Sequence, residues 1–374
     1  MITSPNIRVL GAISLNILQI TSGTAVNGAV LYSKYLAERL AGRGHHVSLM
    51  LRNEGRLLVQ PITGVQTVVS EMSRSPFEVA RMAKWVRDHK IDVIHTHMTR
   101  AHTFGVLLKG LTGVPVVATA HSCSMQLHWR WNDFVIANSK ATMEFHRRFN
   151  RVPADRIKTV YCFSDLERFL TRHPSFPDGL RKRYHVSHDH FLVTMAGEVT
   201  ERKGQLTLFE ALPRIIESVP GFRLWVLGNA NRKKRYVRNL RKIQIQNKLF
   251  GRIRWLGLRR DLQHYFAAAD LSVAPSLEEP LGLVALESLA TGTPVVASRT
   301  GGLPEIVQDQ VFGRLVKPGD SESLADAIIE LANDRAKCRA FGEAGRQFVE
   351  KQFEPQLLTD QVEAILENVA SSRK

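Results

Sequence analysis

The sequence predicts an α/β fold made of two doubly wound domains. Short runs rich in valine, isoleucine and leucine alternate with amphipathic segments along most of the chain, which is typical of β-α-β units around a parallel sheet. This alternation occurs twice, and 374 residues are more than one ordinary domain needs. We therefore expect two similar domains, at 1–175 and 176–352, followed by a C-terminal helix at 353–374 that packs back on the first domain.

Six strands are predicted in the first half of the chain. They lie near 16–20, 46–51, 92–95, 116–119, 134–137 and 158–161. Amphipathic segments between them predict helices, of which the one at 76–89 has the clearest start signals. Ser75 is expected to be its N-cap, with Pro76 in the first turn and Glu78 as the acid of a capping box.

Six further strands are predicted in the second half, and the chain ends in helices only. The strands lie near 191–196, 223–227, 253–256, 271–274, 294–297 and 313–316. Helices are predicted to begin near Gly204, Leu281 and Ser321, and the turn formers at 171–179 indicate a linker. Because parallel sheets bind ligands at the carboxyl ends of their strands, we expect the functional residues in the loops after strands and a cleft between the domains.

The composition is that of a folded globular protein. Hydrophobic residues make up 44% of the chain and charged residues 23%, which argues against a disordered chain. No apolar stretch reaches the roughly 20 residues of a membrane-spanning helix, and we expect no secretory signal. Cys123, Cys162 and Cys338 are too few and too widely spaced for a disulfide framework, which favours a cytoplasmic location.

Net charge is the unusual feature of the composition. The formal charge is +16, and the stretch 223–260 holds thirteen lysines and arginines without an acid. Such an excess indicates an anionic partner, such as a membrane surface, an anionic substrate or a nucleic acid. A basic helix exposed to solvent explains the stretch equally well. Our hypothesis is that the charge attaches the protein loosely to the inner face of the cell membrane.

The loop after the predicted strand at 271–274 has the features of an anion-binding site. Pro280 suits the first position of a new helix, and the first amides of a helix have no intrahelical partner. These amides attract anions such as a diphosphate, and a glycine among them lets the anion approach the backbone. The amides concerned are those of Leu281, Gly282 and Leu283.

Two acids flank this turn. Glu279 precedes it, where a carboxylate can hold sugar hydroxyls, and Glu287 lies about two turns into the helix, where it can accept hydrogen bonds from a ribose diol. Acids are also common near helix N-termini for electrostatic reasons alone. The two residues by themselves therefore leave both interpretations open.

The same region resembles the signature of glycosyltransferase family 4. Glu279 and Glu287 have the E-x7-E spacing of that family, and the segments 290–297 and 301–302 match the sequence around it. Weaker similarities extend along almost the whole chain. Members of the family are retaining enzymes with the GT-B fold, so the resemblance implies two Rossmann-like, doubly wound domains that face a cleft.

The resemblance implies that the C-terminal domain binds a nucleotide sugar as co-substrate, without a further cofactor. Lys203 would neutralise the diphosphate, with Arg202 beside it. Glu287 would hold the ribose, Glu279 the transferred sugar, and Gly257 would lie near the base. Lys203 is also reasonable on chemical grounds, since a Lys-Gly pair that opens a helix after a strand presents an ammonium group to phosphate.

The resemblance makes the N-terminal domain the acceptor-binding half. His121 ends a predicted strand there, and its imidazole can support departing or attacking groups, although a lone histidine is more often a buried hydrogen bonder. Asn27 and Gly28 resemble the family's loop that opens the first helix. His95 and His97 are predicted to point to opposite faces of their strand, which argues against a shared metal ion.

Two positions depart from the family pattern. Glu198 stands where the family usually has an arginine, five residues before the phosphate lysine, and Arg202 is a candidate substitute. Ser122 follows His121 in place of a common glycine. The sequence contains no Asp-x-Asp triplet, so we expect no metal ion in the reaction.

The sequence therefore predicts a cytoplasmic, metal-independent retaining hexosyltransferase. It would move a sugar from a nucleoside diphosphate sugar to a hydroxyl of a sugar or lipid-linked acceptor, in envelope polysaccharide or glycolipid synthesis. His121, Lys203 and Glu279 are the predicted catalytic residues. The alternatives are a nucleotide-sugar epimerase of the same fold, a non-catalytic relative that binds nucleotide, and a nucleic-acid-binding protein. Against the last, the basic stretch has no RNA-binding motif, so no nucleic acid partner is expected.

Overall fold

The structure is a computed structural model that describes residues 14–25, 27–53, 62–171, 175–231 and 234–372. The described residues form two compact units. The first contains residues up to 138 together with 143–160 and 356–374, and the second contains 139–142 and 161–355. The second unit thus begins before the expected boundary at 175, and the C-terminal helix groups with the first unit. Residues 172–174 of the expected linker lie outside the described residues.

Each unit contains one parallel sheet. The strands of the first unit are β1 (Asn16–Thr21), β2 (His46–Leu51), β3 (Gln66–Val69), β4 (Val93–His97), β5 (Val116–Ala120), β6 (Phe134–Ala137) and β7 (Ile157–Thr159). Those of the second are β8 (Phe191–Ala196), β9 (Phe222–Leu227), β10 (Ile253–Gly257), β11 (Leu271–Ala274), β12 (Val295–Ser298) and β13 (Gly313–Val316). All six predicted strands of the second half are present within one or two residues of their predicted bounds.

Helices alternate with the strands and then continue to the end of the chain. They are α1 (Gly28–Gly42), α2 (Pro76–Asp88), α3 (Thr99–Thr112), α4 (Lys140–Phe149), α5 (Leu166–Leu170), α6 (Ser175–Arg183), α7 (Gln205–Ser218), α8 (Arg235–Gln246), α9 (Leu262–Ala268), α10 (Leu283–Ala290), α11 (Leu303–Ile306), α12 (Ser321–Asn333), α13 (Arg335–Gln352) and α14 (Pro355–Ser371). Within the described ranges, none of them combines the length and the hydropathy that crossing a bilayer requires.

Both sheets have the strand order of a doubly wound fold. The order is β3-β2-β1-β4-β5-β6-β7 in the first unit and β10-β9-β8-β11-β12-β13 in the second. The direction of winding reverses between β1 and β4 and again between β8 and β11, and all neighbouring strands pair in parallel. In such sheets the carboxyl ends of the strands at the reversal form the natural ligand site. We call these two places the switch points.

Apolar side chains between each sheet and its helices form the cores. In the first unit Leu18, Ile94 and Phe104 belong to one buried cluster, and in the second Val193 and Ile328 belong to another. The central strands are almost wholly buried because helices cover both faces of a parallel sheet. No disulfide joins the three cysteines.

Strand β3 was not predicted. It is an edge strand in which only Val68 is buried, so the alternation and the apolar run that mark the other strands are both absent. The start of α2 at Pro76 was predicted, but the capping box was wrong. The Ser75 side chain makes no cap hydrogen bond, and the Glu78 carboxylate accepts hydrogen bonds from the Ser70 hydroxyl at 2.6 Å and from the Arg81 guanidinium in place of the Ser75 amide.

One glycine in a helix shows how closely the second unit is packed. A Cβ atom on Gly342, in α13, would lie 2.0 Å from the carbonyl oxygen of Gly292. Gly110, in α3, is also helical, but a Cβ atom there would meet nothing within 4 Å. Only the first of these positions therefore requires glycine.

We expect Gly342→Ala to lower the free energy of unfolding by about 1–3 kcal/mol, because the backbone at Gly292 must move. Gly110→Ala is the matched control and should leave stability unchanged or raise it by up to about 1 kcal/mol, through helix propensity. Urea denaturation of both variants measures the difference. Equal stabilities would contradict the close approach of α13 to Gly292.

Candidate functional site

Three glycines lie at the carboxyl ends of neighbouring strands in the second unit. Gly197, Gly228 and Gly257 follow or end β8, β9 and β10, and all have positive φ angles, of 134°, 142° and 71°. The amide of Gly228 donates to the carbonyl of Gly257 at 2.8 Å, and a Cβ atom on Gly228 would lie 1.8 Å from the carbonyl oxygen of Gly197. At these three positions the edge of the sheet therefore presents main-chain atoms without side chains. Only Gly257 was predicted, although a glycine at the end of each strand was visible in the sequence.

Lys203 and Glu279 are brought together next to this edge. Lys203 ends a 3-10 turn at Glu201–Lys203, and Gly204 follows with a φ of 68°. A Cβ atom on Gly204 would lie 1.8 Å from the carbonyl oxygen of Pro275. The Lys203 ammonium group donates a short hydrogen bond to the Glu279 carboxylate. The two side chains are only 17% and 12% exposed, so the ion pair is largely shielded from water.

Helix α10 begins two residues later than predicted. Its first residue is Leu283, and Pro280 lies outside it, which corrects the prediction of Pro280 at the first helical position. The carbonyl of Glu279 accepts a hydrogen bond from the amide of Gly302 at 2.9 Å, and this contact stands in place of the bond from Leu283 that a helix beginning at Pro280 would need. Gly282 caps the helix with a φ of 106°.

The free amides at the start of α10 are shifted accordingly. The first intrahelical bonds run from Ala285 and Leu286 to the carbonyl of Gly282, at 2.9 and 3.1 Å. The amides of Leu283 and Val284 therefore have no acceptor within the helix. Leu281, whose amide was also predicted to belong to this set, precedes the helix, and its side chain is 3% exposed.

The two glycines of the 301–302 motif have a packing role. A Cβ atom on Gly301 would lie 1.8 Å from the carbonyl oxygen of Glu279, and one on Gly302 would lie 2.6 Å from that of Pro280. Both glycines let the loop before α11 pass directly behind the loop that carries Glu279. The carboxylate of Glu279 is thus held in place by backbone contacts.

A small depression lies at the switch point of the second unit. Its lining includes Ala196 and Ala274, which end β8 and β11, together with Lys203, Glu279 and Gly282. The predicted cation, the predicted acid and the predicted glycine therefore surround one place. A diphosphate there would meet an ammonium group and the first amides of a helix, both of which attract anions.

Glu287 lies one turn after the first residue of α10, next to Ser164 and Arg168. It is partly buried. Burial raises the pKa of its carboxyl group to about 7, against the opposite influence of the Ser164 hydroxyl and the Arg168 guanidinium. Near neutral pH this group is therefore divided between its protonated and ionised forms.

Arg202 and Glu198 both lie on the surface of this region. The Arg202 guanidinium donates to the carbonyl of Glu278 at 3.0 Å, and the Arg202 carbonyl accepts from the amide of Leu277 at 2.8 Å. Arg202 thus supports the loop before Glu279. Glu198 is well exposed, and its carboxylate lies 4.0 Å from the Lys234 ammonium group. The carboxylate that replaces the family's arginine is therefore mostly surrounded by water.

In the first unit, the residues expected at the site occupy two loops. Asn27 caps α1, since its side-chain oxygen accepts from the amide of Val30 at 3.1 Å, and Gly28 is the first residue of that helix. His121 directly follows β5, and its Nε2 lies 3.1 Å from Nδ1 of His97. The edge of the Tyr32 ring contacts both imidazoles.

The prediction that His95 and His97 point to opposite faces was wrong. Side chains alternate along a strand, so residues two apart share a face, and the two rings lie with their centroids 4.3 Å apart. Burial lowers the pKa of His95 to about 3 and that of His121 to about 4, and it holds the pKa of His97 well below its ordinary value. All three imidazoles are therefore neutral at pH 7.

One group of potential metal ligands occurs among the described residues, at His45, Glu363 and Glu367. The amide of Leu15 donates to His45 Nδ1 at 3.2 Å, so the ring carries its proton on Nε2, which donates to Glu363 at 2.6 Å. Arg43 also pairs with Glu363. With its free nitrogen already used and a cation beside it, this group is suited to holding α14 in the first unit and not to binding a metal ion.

Comparison with known proteins gives two matching family models. Residues 26–168 match the model described as Glycosyltransferase Family 4, and residues 190–334 match the model described as Glycosyl transferases group 1. Together they cover most of the chain. The chain belongs to glycosyltransferase family 4.

Relatives of this family 4 glycosyltransferase match it over nearly their whole length. N-acetyl-alpha-D-glucosaminyl L-malate synthase of Bacillus anthracis is 25% identical, with 95% of this chain and 97% of the relative covered. The lipopolysaccharide core biosynthesis glycosyltransferase LpsE of Rhizobium meliloti is 29% identical, with 89% and 94% covered. The crystal structure of Anabaena Alr3699/HepE with UDP and glucose has a TM-score of 0.84 at 25% identity and covers 94% of this chain and 99% of that one.

These findings confirm three predictions from the sequence. The family is the one that the E-x7-E region resembles, the two parallel sheets have the arrangement found in GT-B glycosyltransferases, and the function is that of a glycosyltransferase. The roles of individual residues in this family 4 glycosyltransferase remain predictions.

The raised pKa of Glu287 has a consequence for stability. Its carboxyl group has an ordinary pKa of 4.5 and a pKa of about 7 in the folded chain, so the folded state keeps a proton that the unfolded state releases. The stability that Glu287 contributes to the wild type should therefore be lost as the pH rises from 4.5 to 7, and Glu287→Gln has no such contribution. We expect the unfolding free energy of the variant, relative to wild type, to grow by about 2 kcal/mol between pH 5 and 8. Urea denaturation at several pH values measures it.

The exposed Glu278→Gln is the control for this experiment, since its carboxylate stays in water. It should show no such trend. A flat difference for Glu287→Gln would contradict the burial of the Glu287 carboxyl group.

Proposed function

We propose that this family 4 glycosyltransferase moves a hexose-type sugar from a nucleoside diphosphate sugar to an acceptor hydroxyl, with retention of the anomeric configuration. The observation that carries the proposal is the meeting of Lys203, Glu279 and the start of α10 at one switch point. The GT-B neighbour Alr3699/HepE was solved with UDP and with UDP-glucose, which supports a nucleotide sugar as donor.

Donor binding exchanges one partner of Lys203 for another. The ammonium group leaves the Glu279 carboxylate and pairs with the diphosphate, which also accepts hydrogen bonds from the amides of Leu283 and Val284. Gly282 keeps the approach to these amides open. Glu279 is then available to accept hydrogen bonds from the hydroxyls of the transferred sugar, and Glu287 those of the ribose.

The reaction follows from where charge develops. As the glycosidic bond breaks, negative charge grows on the leaving diphosphate, and Lys203 with the α10 amides stabilises it without rearrangement. We propose a dissociative path in which the acceptor hydroxyl attacks the face that the diphosphate leaves and passes its proton to the leaving phosphate oxygen, with assistance from His121. The proposed reaction uses no metal ion, because Lys203 and the helix amides supply the positive charge at the diphosphate.

The first unit would bind the acceptor, a sugar or a lipid-linked sugar. The name of one relative supports this class, since LpsE is a glycosyltransferase of lipopolysaccharide core biosynthesis. We propose envelope polysaccharide or glycolipid synthesis in the cytoplasm as the setting.

Removal of the ion pair tests the proposal. We expect Lys203→Ala and Glu279→Ala each to reduce sugar transfer at least about 100-fold, because the diphosphate or the sugar loses its charged partner. Because a single substitution leaves a shielded charge without its partner, the double variant is included, and it should be folded and equally inactive. The donor is first selected by thermal-shift screening of nucleotide sugars, and transfer is measured as release of the nucleoside diphosphate.

Lys84→Ala is the matched control, since Lys84 belongs to an exposed ion pair with Asp88 on α2. It should leave transfer unchanged. Full turnover by the folded double variant would refute the roles of Lys203 and Glu279.

We further propose that the face formed by α8 attaches the protein to an anionic membrane. Arg235, Arg238 and Lys242 are exposed on this helix, and the apolar Ile245 beside them is 59% exposed. Other cations of the stretch 223–260 have structural partners, as Arg241 does over the Trp255 ring. Residues 232–233 of the stretch lie outside the described residues. Exposed cations next to an apolar side chain suit the surface of a bilayer with acidic headgroups.

We expect the wild-type protein to sediment with phosphatidylglycerol-containing vesicles at low salt and to be released at high salt. Arg238→Glu combined with Lys242→Glu should reduce the bound fraction at least about fivefold, since each lysine or arginine contributes about 1 kcal/mol near such a surface. Lys84→Glu combined with Arg87→Glu, on α2, makes the same change in charge elsewhere and should bind like wild type. Equal binding of both double variants would refute a role for α8.

A further inference from the structure

Polar side chains cover one face of the first sheet at its switch point. Gln19 and Thr21 on β1, His95 and His97 on β4, and Thr119 on β5 are all fully buried. Within each strand these residues are two apart, so they share a face of the sheet. Buried polar groups are unfavourable unless they are hydrogen-bonded. The hydrogen bonds that these side chains make therefore decide what this face can do.

The orientation of Gln19 is fixed by a backbone carbonyl. Its Nε2 lies 2.7 Å from the carbonyl oxygen of Ser33, which can only accept, so this atom of Gln19 is the amide nitrogen. The same nitrogen lies 2.9 Å from Nε2 of His97. Its second hydrogen is therefore donated to His97, whose Nε2 must be the acceptor. His97 consequently carries its own proton on Nδ1.

The same reasoning passes from His97 to His121. Nδ1 of His97 lies 3.1 Å from Nε2 of His121, so the Nδ1 proton is donated and Nε2 of His121 accepts it. Both rings are neutral, because burial lowers the pKa of each. A neutral imidazole with an accepting Nε2 carries its proton on Nδ1. The chain of hydrogen bonds thus leaves His121 one tautomer.

We propose that Gln19 and His97 are positioning residues that hold His121 in the tautomer protonated on Nδ1, so that His121 serves the transfer as a hydrogen-bond donor and not as a proton acceptor. The functional half of this inference rests on the proposed function, in which His121 assists the reaction. The chemistry that such a donor recognises is an oxygen lone pair, of a sugar hydroxyl or of a phosphoryl group.

The tautomer can be measured without any assay of activity. In the full-length protein labelled with 15N-histidine, long-range 1H–15N correlation distinguishes a protonated from an unprotonated ring nitrogen, and His121→Asn assigns the signal. At pH 7 we expect His121 to be protonated on Nδ1 with Nε2 accepting. Protonation of His121 on Nε2 in the wild-type protein would overturn the proposal.

Gln19→Glu tests the origin of the tautomer. A carboxyl group of nearly the same shape satisfies the Ser33 carbonyl only by donating its single proton there, so the same oxygen must accept from His97 Nε2. This moves the His97 proton to Nε2 and reverses the chain, so His121 should become protonated on Nε2. Sugar transfer should fall by about 10- to 100-fold. Thr119→Val is the matched control, because the Thr119 hydroxyl bonds to His95 at 2.7 Å on the same face without joining the chain. It should keep both the tautomer and the activity of wild type.

The outcomes separate this inference from the function on which it rests. If Gln19→Glu folds and His121 keeps its proton on Nδ1, the positioning role is refuted. If Gln19→Glu does not fold, the wild-type spectrum alone decides which tautomer is present. If the tautomers behave as expected but His121→Asn transfers sugar at the wild-type rate, the positioning stands and the assignment of His121 to the reaction fails.

Discussion

The chemistry of the second unit depends on an ion pair that is largely shielded from water, that of Lys203 with Glu279. Two opposite charges that are shielded from water stabilise each other, and either charge alone would be destabilising. In the proposed function a diphosphate replaces Glu279 as the partner of Lys203, and sugar hydroxyls become the new donors to the carboxylate. The pair would thereby link recognition of the phosphates to recognition of the sugar, because a ligand that supplies only one of them leaves a charge without a partner.

The loops that hold this pair are positioned largely by close backbone contacts, to which the Arg202 guanidinium adds a hydrogen bond to the carbonyl of Glu278. Gly204, Gly228 and Gly301 each bring one chain segment to a carbonyl oxygen that a Cβ atom would strike at 1.8 Å. Such contacts leave little freedom of movement, so the ammonium group, the carboxylate and the first amides of α10 keep their relative positions without a ligand. Preorganised groups of this kind stabilise developing charge at little reorganisation energy. These glycines therefore contribute to the electrostatics of the site, because they fix the positions of its charged groups.

The sequence predicted the architecture well because its signals were local. In the described part of the chain, apolar runs located twelve of the thirteen strands, and only the edge strand β3, with Val68 alone buried, lacked a pattern. The site was predicted less completely because it depends on contacts between distant segments. No signal near Pro280 in the sequence shows that the carbonyl of Glu279 bonds to the amide of Gly302 or that α10 begins only at Leu283. The pairing of Gln19 with Ser33 and His97 was equally invisible, since it joins β1, α1 and β4.

The two switch points use burial in opposite ways. In the second unit charge is kept ionised by pairing, whereas in the first unit burial keeps His97 and His121 neutral, with the pKa of His121 at about 4. In the proposed reaction, a neutral His121 that donates a hydrogen bond suits an acceptor hydroxyl that stays uncharged until it attacks. Of Glu287 and His121, only Glu287 therefore changes its ionisation between pH 5 and 8, since its pKa of about 7 lies inside this range. Since the ionised carboxylate is the better acceptor for a ribose diol, donor binding should supply the free energy that keeps Glu287 deprotonated, and donor affinity and pH are coupled through this single group.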